Sequence, residues 1–174
     1  MNPAGPMIRP AREDDVRGIA EVHVATWRAA YAGLVPAAFL DAMSVDDRAG
    51  MWRRLLAAPR ERGWALLVAE GGGRITGFVS VCAAREGGGP DVGEISALYV
   101  EPSSWDTGTG RELHDAALDA LRSAGFVRAT LRVLEGNARG RRFYERRGWR
   151  DVGTRSVVRL GGADLAHATY DRVL

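Results

Sequence analysis

Three consecutive segments near the middle of the chain restrict its fold more than any other part of the sequence. The run EISALYV (residues 94–100) predicts a strand, and GRELHDAALDALRS predicts an amphipathic helix that ends at Ser123. Between them, Gly108 and Gly110 alternate in the turn WDTGTG. A strand that enters a helix through such a turn presents free backbone N–H groups to an anion. The turn alone is also compatible with a tight connection that binds no ligand.

The order of the other predicted elements places this unit within an α+β or α/β fold. Ser44, with Asp47 three residues later, forms a capping pattern that predicts a helix start. The predicted strands also cover residues 7–11, 64–70, 75–84, 126–134, 149–160 and 163–174, and the other helices cover residues 14–31, 37–43, 44–58 and 137–148. We expect one mixed sheet with helices on its faces. The chain shows no repeat or linker, which predicts a single domain over residues 1–174, with residues 1–6 as a disordered lead-in.

Composition limits the classes of function. The 174 residues are 46% hydrophobic and 26% charged, which is typical of one soluble domain with its own core. The sequence contains no lysine, so a Schiff-base lysine and a lysine-dependent phosphate loop are excluded. A net charge of +2 does not support nucleic-acid binding, and no apolar run is long enough to cross a membrane. The single cysteine, Cys82, excludes an internal disulfide and favours a cytoplasmic location.

A second motif changes the interpretation of the Gly-rich turn. Together with residues 94–110, the segment NARGRRFYERRGW (residues 137–149) resembles the GNAT superfamily of acyl-CoA N-acyltransferases. The shared pattern comprises Leu98, Val100, Pro102, Gly108, Gly110, Asn137, Gly140, Phe143, Tyr144, Gly148 and Trp149. The resemblance covers most of the chain and implies an α+β fold with one mixed, mostly antiparallel sheet of about six or seven strands. It also implies acetyl-CoA as co-substrate, no metal, and direct transfer of the acetyl group to a primary amine in a ternary complex.

The same resemblance assigns a set of residues to the coenzyme. The main chain of a bulged strand is expected to face the pantetheine arm and the oxyanion, and the Gly-rich turn is expected to bind the pyrophosphate. The side-chain amide of Asn137 is expected to bind the arm. The expected coenzyme-binding residues are Leu98, Tyr99, Val100, Asp106, Thr107, Gly108, Thr109, Gly110, Arg111, Asn137 and Arg142. Solvated charge is the alternative for Arg142, because its segment is rich in arginine.

Two positions depart from the family pattern. Trp105 stands where the family has Gln or Arg, and Asp106 stands where glycine is frequent. A carboxylate near the expected pyrophosphate repels it, so we expect Asp106 to weaken coenzyme binding modestly. Aspartate is also a favoured N-cap residue, and capping of the following helix is the structural alternative.

Acyl transfer to an amine needs a base for the amine and an acid for the leaving thiolate. The resemblance places Tyr144 near the coenzyme sulfur as the acid, and a core aromatic residue is the alternative. Glu94 resembles the base of the histone-acetylating branch, and a regular strand would direct Glu94, Leu98 and Val100 to one face. A solvent-exposed carboxylate at the end of a strand is the alternative for Glu94, and Glu135 is the reserve candidate.

The amine acceptor is the part that the sequence determines least. Trp27 and Tyr31 lie four residues apart on one predicted helical face, and His23 lies one further turn back. Together with Trp52 they form either a substrate pocket or an aromatic core. The candidate acceptors are a small molecule, such as an amino acid, a polyamine or an antibiotic, and a protein amine. A non-catalytic module that binds acyl-CoA or a partner is the alternative function, and the last strands are where a homodimer would form.

Overall fold

The computed structural model describes residues 5–85 and 88–174, whose strands form one seven-stranded sheet. The strands are β1 (Met7–Pro10), β2 (Ala65–Gly71), β3 (Arg74–Ala83), β4 (Val92–Val100), β5 (Arg128–Leu134), β6 (Arg150–Leu160) and β7 (Ala163–Val173). The α-helices are α1 (Val16–Ala30), α2 (Ala37–Asp41), α3 (Val45–Ala57), α4 (Thr109–Ser123) and α5 (Ala138–Glu145). The elements occur in the predicted order. The predicted lead-in over residues 1–6 falls mostly outside the described residues.

The sheet is mixed and mostly antiparallel. Its strand order is β1-β2-β3-β4-β5-β7-β6. Within the described residues, β4 and β5 are the parallel pair, and the other neighbours pair antiparallel. The last hairpin returns into the sheet, because β7 lies between β5 and β6. The α+β class and the mixed sheet predicted from the sequence are therefore confirmed.

Apolar clusters fix helices to both faces of the sheet. On one face, α1 and α3 pack on β2 and β3 in the α1-side cluster, which includes Ile19, Trp52 and Phe78. On the other face, α4 packs on the central strands in the α4-side cluster, which includes Leu113 and Leu121. None of these five side chains is more than 4% exposed. Burial of side chains of this size contributes about 1.5–3 kcal/mol each, so both helical layers are held firmly.

A β-bulge in β4 changes the alternation of its side chains. Ser96 is an extra residue in β4, without a partner in β3. Ile95, Leu98 and Val100 all pack in the α4-side cluster, although Ile95 and Leu98 are three residues apart. Glu94, next to Ile95, therefore faces the α1 side. The expectation that Glu94 shares a face with Leu98 and Val100 is wrong, because it assumes a regular strand.

The bulge also marks the point where β4 and β5 separate. Their pairing covers Val92 to Ile95 in β4 and Arg128 to Leu131 in β5. Beyond Ile95, the described part of β4 has no pairing with β5, whereas β5 continues to pair with β7. The two strands thus form a V-shaped opening, and one side of it is the unpaired edge of β4.

Candidate active site

A cavity of about 1170 Å³ occupies the opening between β4 and β5. One end is bordered by the turn before α4 and by α5, and we call it the α4–α5 half (residues 104–111 and 137–147). The other end is bordered by α1 and the first part of β4, and we call it the α1 half (residues 26–31 and 94–97). The cavity therefore joins the two regions in which the sequence predicts functional residues.

The edge of β4 presents main-chain groups to this cavity. The Glu101 N–H donates to the Thr76 carbonyl oxygen at 2.9 Å. Bonded and non-bonded pairs alternate along an antiparallel ladder, so Tyr99 directs its main-chain groups to β3. Leu98 and Val100 direct theirs to the open side. The main-chain role expected for Tyr99 therefore falls to its two neighbours.

One of these main-chain groups is already occupied. The Val100 carbonyl oxygen accepts hydrogen bonds from Thr26 Oγ1 at 2.9 Å and from Trp105 Nε1 at 2.7 Å. Trp105, which replaces the family's Gln or Arg, thereby ties the turn before α4 to the end of β4. The groups left for a ligand are the N–H and carbonyl of Leu98 and the N–H of Val100.

The turn before α4 provides a second set of free donors. Gly108 has φ +98°, in the left-handed region that favours glycine. Its carbonyl accepts the first helical hydrogen bond, from the Glu112 N–H at 3.1 Å. Within the part of the chain that the structure describes, the backbone N–H groups of residues 107–111 have no protein acceptor. Adjacent free N–H groups at a helix start form an anion site, and the Arg111 side chain also lines this end.

Side chains hold this turn in shape. Thr107 Oγ1 donates to the Ser104 carbonyl at 2.8 Å and lies 3.0 Å from Thr109 Oγ1. A Cβ at Gly110 would stand 3.3 Å from the Phe143 ring, so a glycine allows α4 to start close to α5. The two threonine hydroxyls thus support the turn, and the backbone N–H groups remain the donors for a ligand.

Asp106 does not cap α4. The N-cap residue is Gly108, and no side chain caps it. Asp106 has φ +63°, and its carboxylate accepts a hydrogen bond from Arg139 Nη2 at 3.0 Å. The Arg139 guanidinium also lies 4.5 Å from the centre of the Trp105 ring. The capping alternative is wrong, because the carboxylate points to α5 and forms an exposed ion pair there.

Helix α5 contributes polar and charged groups to the same end. Asn137 Oδ1 accepts from the Gly140 N–H at 2.9 Å, so its side-chain NH₂ remains to donate to a ligand carbonyl. Arg139, Arg142 and Arg146 line the cavity and are exposed. Their positive charges favour phosphate groups at this end.

Tyr144 lines the cavity from the same helix. Its ring centroid lies 5.1 Å from that of Phe143 and 5.9 Å from that of Trp149. Burial, together with the nearby Tyr99, raises the pKa of the Tyr144 hydroxyl. Tyr144 is therefore a packed aromatic residue that lines the cavity and whose hydroxyl stays protonated near pH 7.

Glu94 lies in the α1 half. It is 6% exposed and lines the cavity, so the alternative of a solvent-exposed carboxylate is wrong. Glu94 Oε2 accepts from the Arg85 N–H at 3.2 Å, and Oε1 lies 3.6 Å from Arg132 Nη2. The reserve candidate Glu135 is outside the cavity lining and pairs with Arg155 at 3.0 Å.

The four predicted aromatic positions divide into two pairs. Trp27 and Tyr31 line the cavity, with their rings edge to face at 4.9 Å. His23 and Trp52 are buried behind them, and Trp52 Nε1 donates to His23 Nδ1 at 3.1 Å. Burial, and then the charge of Arg48, lowers the pKa of His23 to about 3. His23 is therefore neutral near pH 7 and belongs to the core, whereas Trp27 and Tyr31 face the cavity.

Three polar residues in the α1 half were not placed there by the sequence: Arg85, Arg132 and His167. His167 pairs with Leu134 across β5 and β7. Burial, and then the charge of Arg132, lowers the pKa of His167. The alternation in β5, where Arg132 and Leu134 share a face, could have indicated Arg132, but no comparable local pattern marks Arg85 or His167.

The folded chain also bears on covalent and metal chemistry. Cys82 is buried, and burial raises the pKa of its thiol, which is the opposite of what a nucleophile needs. Within residues 5–85 and 88–174, no group of three or more His, Cys, Asp or Glu side chains is placed to hold a metal ion. None of the described helices is long and apolar enough to cross a membrane.

Comparison with known proteins gives the family. A family model for the acetyltransferase (GNAT) family matches residues 20–149. A probable N-acetyltransferase of Mycobacterium tuberculosis is 28% identical over 176 residues, which cover 98% of this chain and 95% of that protein. An uncharacterized N-acetyltransferase of Mycobacterium bovis is 34% identical over 138 residues, which cover 79% of each chain.

Solved structures agree with this assignment. A GCN5-related N-acetyltransferase from Rhodopseudomonas palustris has a TM-score of 0.76 at 27% identity and covers 100% of this chain and 99% of its own. An acetyltransferase of Salmonella typhimurium, solved with acetyl-CoA, shares the fold with a TM-score of 0.72 at 23% identity, over 98% of this chain and 95% of its own. The family match favours an enzyme over a non-catalytic module. The chain belongs to the GNAT acetyltransferase family and is an N-acetyltransferase that transfers the acetyl group of acetyl-CoA to an amine.

Proposed function

We propose that a primary amine attacks acetyl-CoA directly in a ternary complex, with Glu94 as the base and Tyr144 as the acid. One observation carries this proposal: Glu94, Tyr144 and the unpaired edge of β4 border the same cavity. The two titratable groups come from opposite halves of that cavity. This arrangement suits a reaction in which an amine enters from one side and a thiolate leaves on the other.

The α4–α5 half has the donors that coenzyme A needs. The free N–H groups of residues 107–111 suit its pyrophosphate, and the side chains of Arg111 and Arg142 offset the phosphate charge. The main-chain groups of Leu98 can pair with the pantetheine amides in the manner of an added strand. The Asn137 NH₂ can donate to a carbonyl of the same arm.

The proton transfers follow from these positions. Glu94 accepts a proton from the acceptor ammonium, directly or through a water, and the free amine attacks the thioester carbonyl carbon. A free N–H of the β4 edge, from Leu98 or Val100, stabilises the oxyanion. Tyr144 donates its proton to the sulfur as the C–S bond breaks. The new amide nitrogen and Glu94 each release a proton to solvent, and Tyr144 is reprotonated from solvent, so that one proton is released per turnover.

The test measures thiol release from acetyl-CoA with a panel of primary amines, for the wild type, Glu94→Gln and Glu135→Gln. We expect Glu94→Gln to lower kcat by about 10²–10³-fold with unchanged acetyl-CoA affinity by calorimetry, because a general base contributes about that much. Glu135→Gln is the matched control and should stay within about twofold of the wild type, because its charge lies outside the cavity lining. The reverse order of the two variants would reject Glu94 as the base. A folded protein that binds no acetyl-CoA would overturn the whole proposal.

Three properties expected from the sequence stay predictions: the single-domain organisation, the cytoplasmic location and the homodimer. The edge strand β6 is compatible with a dimer contact, since Val157 on it is 70% exposed. An edge strand has free main-chain groups that a second copy can pair with.

A further inference from the structure

Arg147 is a half-buried cation in the α4–α5 half of the cavity, and most of its hydrogen-bond donors are unused. It stands just beyond the end of α5 and lines the cavity. Its Nη1 donates to the Phe143 carbonyl oxygen at 3.1 Å. Within the described residues, Nε is buried without a hydrogen-bond partner and Nη2 has no acceptor. A partly buried charge is costly without a counter-charge, so these donors indicate an anionic ligand.

The carboxylates near Arg147 do not supply this counter-charge. Burial lowers the pKa of the Arg147 guanidinium, and the nearby Asp115 offsets this only in part. The Asp115 carboxylate bonds instead to His114 Nδ1 at 2.9 Å. No carboxylate in residues 5–85 and 88–174 forms an ion pair with Arg147. The charge of Arg147 is therefore available to a ligand in the cavity.

Phe143 holds Arg147 beside the turn before α4. The Arg147 guanidinium carbon lies 3.9 Å from the centre of the Phe143 ring. The same ring would lie 3.3 Å from a Cβ at Gly110, at the start of α4. Arg111 Nη2 would lie 4.0 Å from a Cβ at Gly108, so the Arg111 side chain folds back towards the turn. The Phe143 ring thus joins Arg147 to the turn whose N–H groups suit a pyrophosphate.

The α4–α5 half as a whole has a surplus of positive charge. The arginines that line it are Arg111, Arg139, Arg142, Arg146 and Arg147. The carboxylate that lines it is Asp106, which pairs with Arg139. In the part of the chain that the structure describes, the other arginines of this lining have no carboxylate partner. Since the free N–H groups of the turn already suit a pyrophosphate, these guanidiniums indicate a second anionic group on the same ligand.

We propose that Arg147, assisted by Arg111 and Arg146, binds the 3′-phosphate of coenzyme A, so that the protein discriminates against coenzymes without this group. This inference rests on the proposed function and extends its coenzyme site. The 3′-phosphate is carried by the ribose next to the pyrophosphate, so one molecule can reach both the turn and Arg147. A phosphate monoester has a charge of about −1.5 to −2 near pH 7 and three strong acceptor oxygens. A guanidinium that stacks on an aromatic ring suits such a group.

Coenzyme A and dephospho-coenzyme A test the proposal directly, because they differ only in the 3′-phosphate. We expect calorimetry to show that the wild type binds coenzyme A about 10- to 100-fold more tightly, as charge-assisted hydrogen bonds to a phosphate allow. Equal affinities would overturn the proposal and leave the proposed function intact. A folded protein that binds neither coenzyme would overturn the proposed function as well.

The variant Arg147→Gln locates the preference for coenzyme A. It should lower this preference by about tenfold, because glutamine removes the charge that faces the phosphate. A general loss of stability would weaken both coenzymes alike, so the ratio of affinities separates recognition from folding. Arg122→Gln is the matched control and should keep the wild-type ratio, because Arg122 is an exposed arginine on α4 outside the cavity lining. A full preference in Arg147→Gln would reject Arg147 as its origin.

Phosphorus NMR tests the same contact independently of affinity. The second pKa of a free phosphate monoester is about 6, and a neighbouring guanidinium favours the dianion. The 3′-phosphate resonance of bound coenzyme A should therefore titrate at lower pH than that of the free coenzyme. The Arg147→Gln variant should move this titration back towards the free value.

The outcomes of this titration separate the phosphate site from the reaction. A bound 3′-phosphate that titrates as in the free coenzyme lies in solvent, and that result would overturn the proposal. A lowered pKa of the 3′-phosphate in a wild type that transfers no acetyl group would reject the proposed base and acid. That second result would support the phosphate site.

Discussion

Two tryptophan–histidine pairs lie on opposite faces of the sheet, and their hydrogen bonds differ. On the α4 side, Trp149 Nε1 donates to His114 Nε2 at 2.9 Å, and His114 Nδ1 bonds to Asp115 Oδ1 at 2.9 Å. On the α1 side, Trp52 donates to His23 Nδ1, and His23 Nε2 has no partner among the described residues. Both ring nitrogens of His114 are hydrogen-bonded within the protein, whereas the Nε2–H of His23 has no acceptor among the described residues.

The two halves of the cavity also differ in the kind of donor that they leave free. Around α4 and α5, the free donors include the backbone N–H groups of residues 107–111 and of the β4 edge, together with the side chains of Asn137 and Arg147. Around α1, the groups left free are side-chain donors, including His23 and Arg48. Backbone donors suit a cofactor that every family member shares. Side-chain donors can differ between members, so we expect acceptor specificity to depend on the α1 half.

The largest expected effect tests the chemical role of the α4–α5 half. Tyr144→Phe removes one hydroxyl and retains the ring that packs on Phe143 and Trp149. We expect kcat to fall by about 10²–10³-fold, because the leaving thiolate loses its proton donor. The affinity for acetyl-CoA, measured by calorimetry, should stay within about twofold. Full activity in Tyr144→Phe would make Tyr144 a packing residue only and would leave the acid unassigned.

The next prediction concerns the pH dependence of stability, to which the buried His23 side chain contributes. The pKa of His23 is lowered to about 3 in the folded chain, against about 6.5 for an exposed histidine. Below pH 6.5 the unfolded chain therefore binds a proton that the folded chain does not, and stability falls as the pH falls. The slope is about 1.4 kcal/mol per pH unit for this one group.

The variant His23→Asn isolates this contribution, because Asn Oδ1 can replace Nδ1 as the acceptor for Trp52. Urea unfolding at several pH values should show that the wild type loses about 3 kcal/mol more than His23→Asn between pH 6.5 and about pH 4. Carboxylates that titrate in the same window, such as Asp15, contribute equally to both proteins and cancel in the difference. Parallel pH profiles would mean that His23 accepts a proton in the folded state.

The sequence predicts the α4–α5 half well because local patterns encode backbone donors. A strand, a Gly-rich turn and an amphipathic helix are sufficient to place the free N–H groups, and Asn137 marks the start of α5. Two local details escape such patterns. The β-bulge at Ser96 cannot be recognised from the sequence of the strand, although it moves Glu94 to the other face of the sheet. Asp106 is a residue type that is favoured at helix N-caps, but it adopts a left-handed backbone conformation and pairs with Arg139.

The α1 half is less predictable for a physical reason. Its polar groups come from β4, β5, β7 and the segment after β3, and only tertiary packing brings them together. The spacing of Trp27 and Tyr31 predicts that they share a face, but it does not show that His23 is sealed behind them. Arg48 looks like one of many surface arginines until the structure shows its buried Nε. Side-chain donors of this kind become visible only when their missing acceptors can be counted.

The smallest expected effect concerns Asp106, a carboxylate beside the free N–H groups of residues 107–111. Asp106 is 85% exposed, so its pair with Arg139 contributes at most about 1 kcal/mol to stability. In the proposed complex, its charge opposes the phosphates of the coenzyme, and its ion pair keeps Arg139 occupied. Asp106→Asn removes the charge, and asparagine tolerates the left-handed backbone at φ +63°. Asp106→Gly also removes the backbone strain.

We expect both Asp106 variants to bind acetyl-CoA about two- to fivefold more tightly at low salt, because each releases Arg139 for the phosphates. The gain should largely disappear at about 1 M salt, where the Debye length is about 3 Å. Asp106→Gly should in addition unfold at a slightly higher urea concentration than Asp106→Asn, since only the glycine relieves the strain. Calorimetric titrations at two salt concentrations measure the first effect. Weaker binding in both variants would show that the Asp106–Arg139 pair holds the turn in its binding shape, so that this half too would depend on side chains.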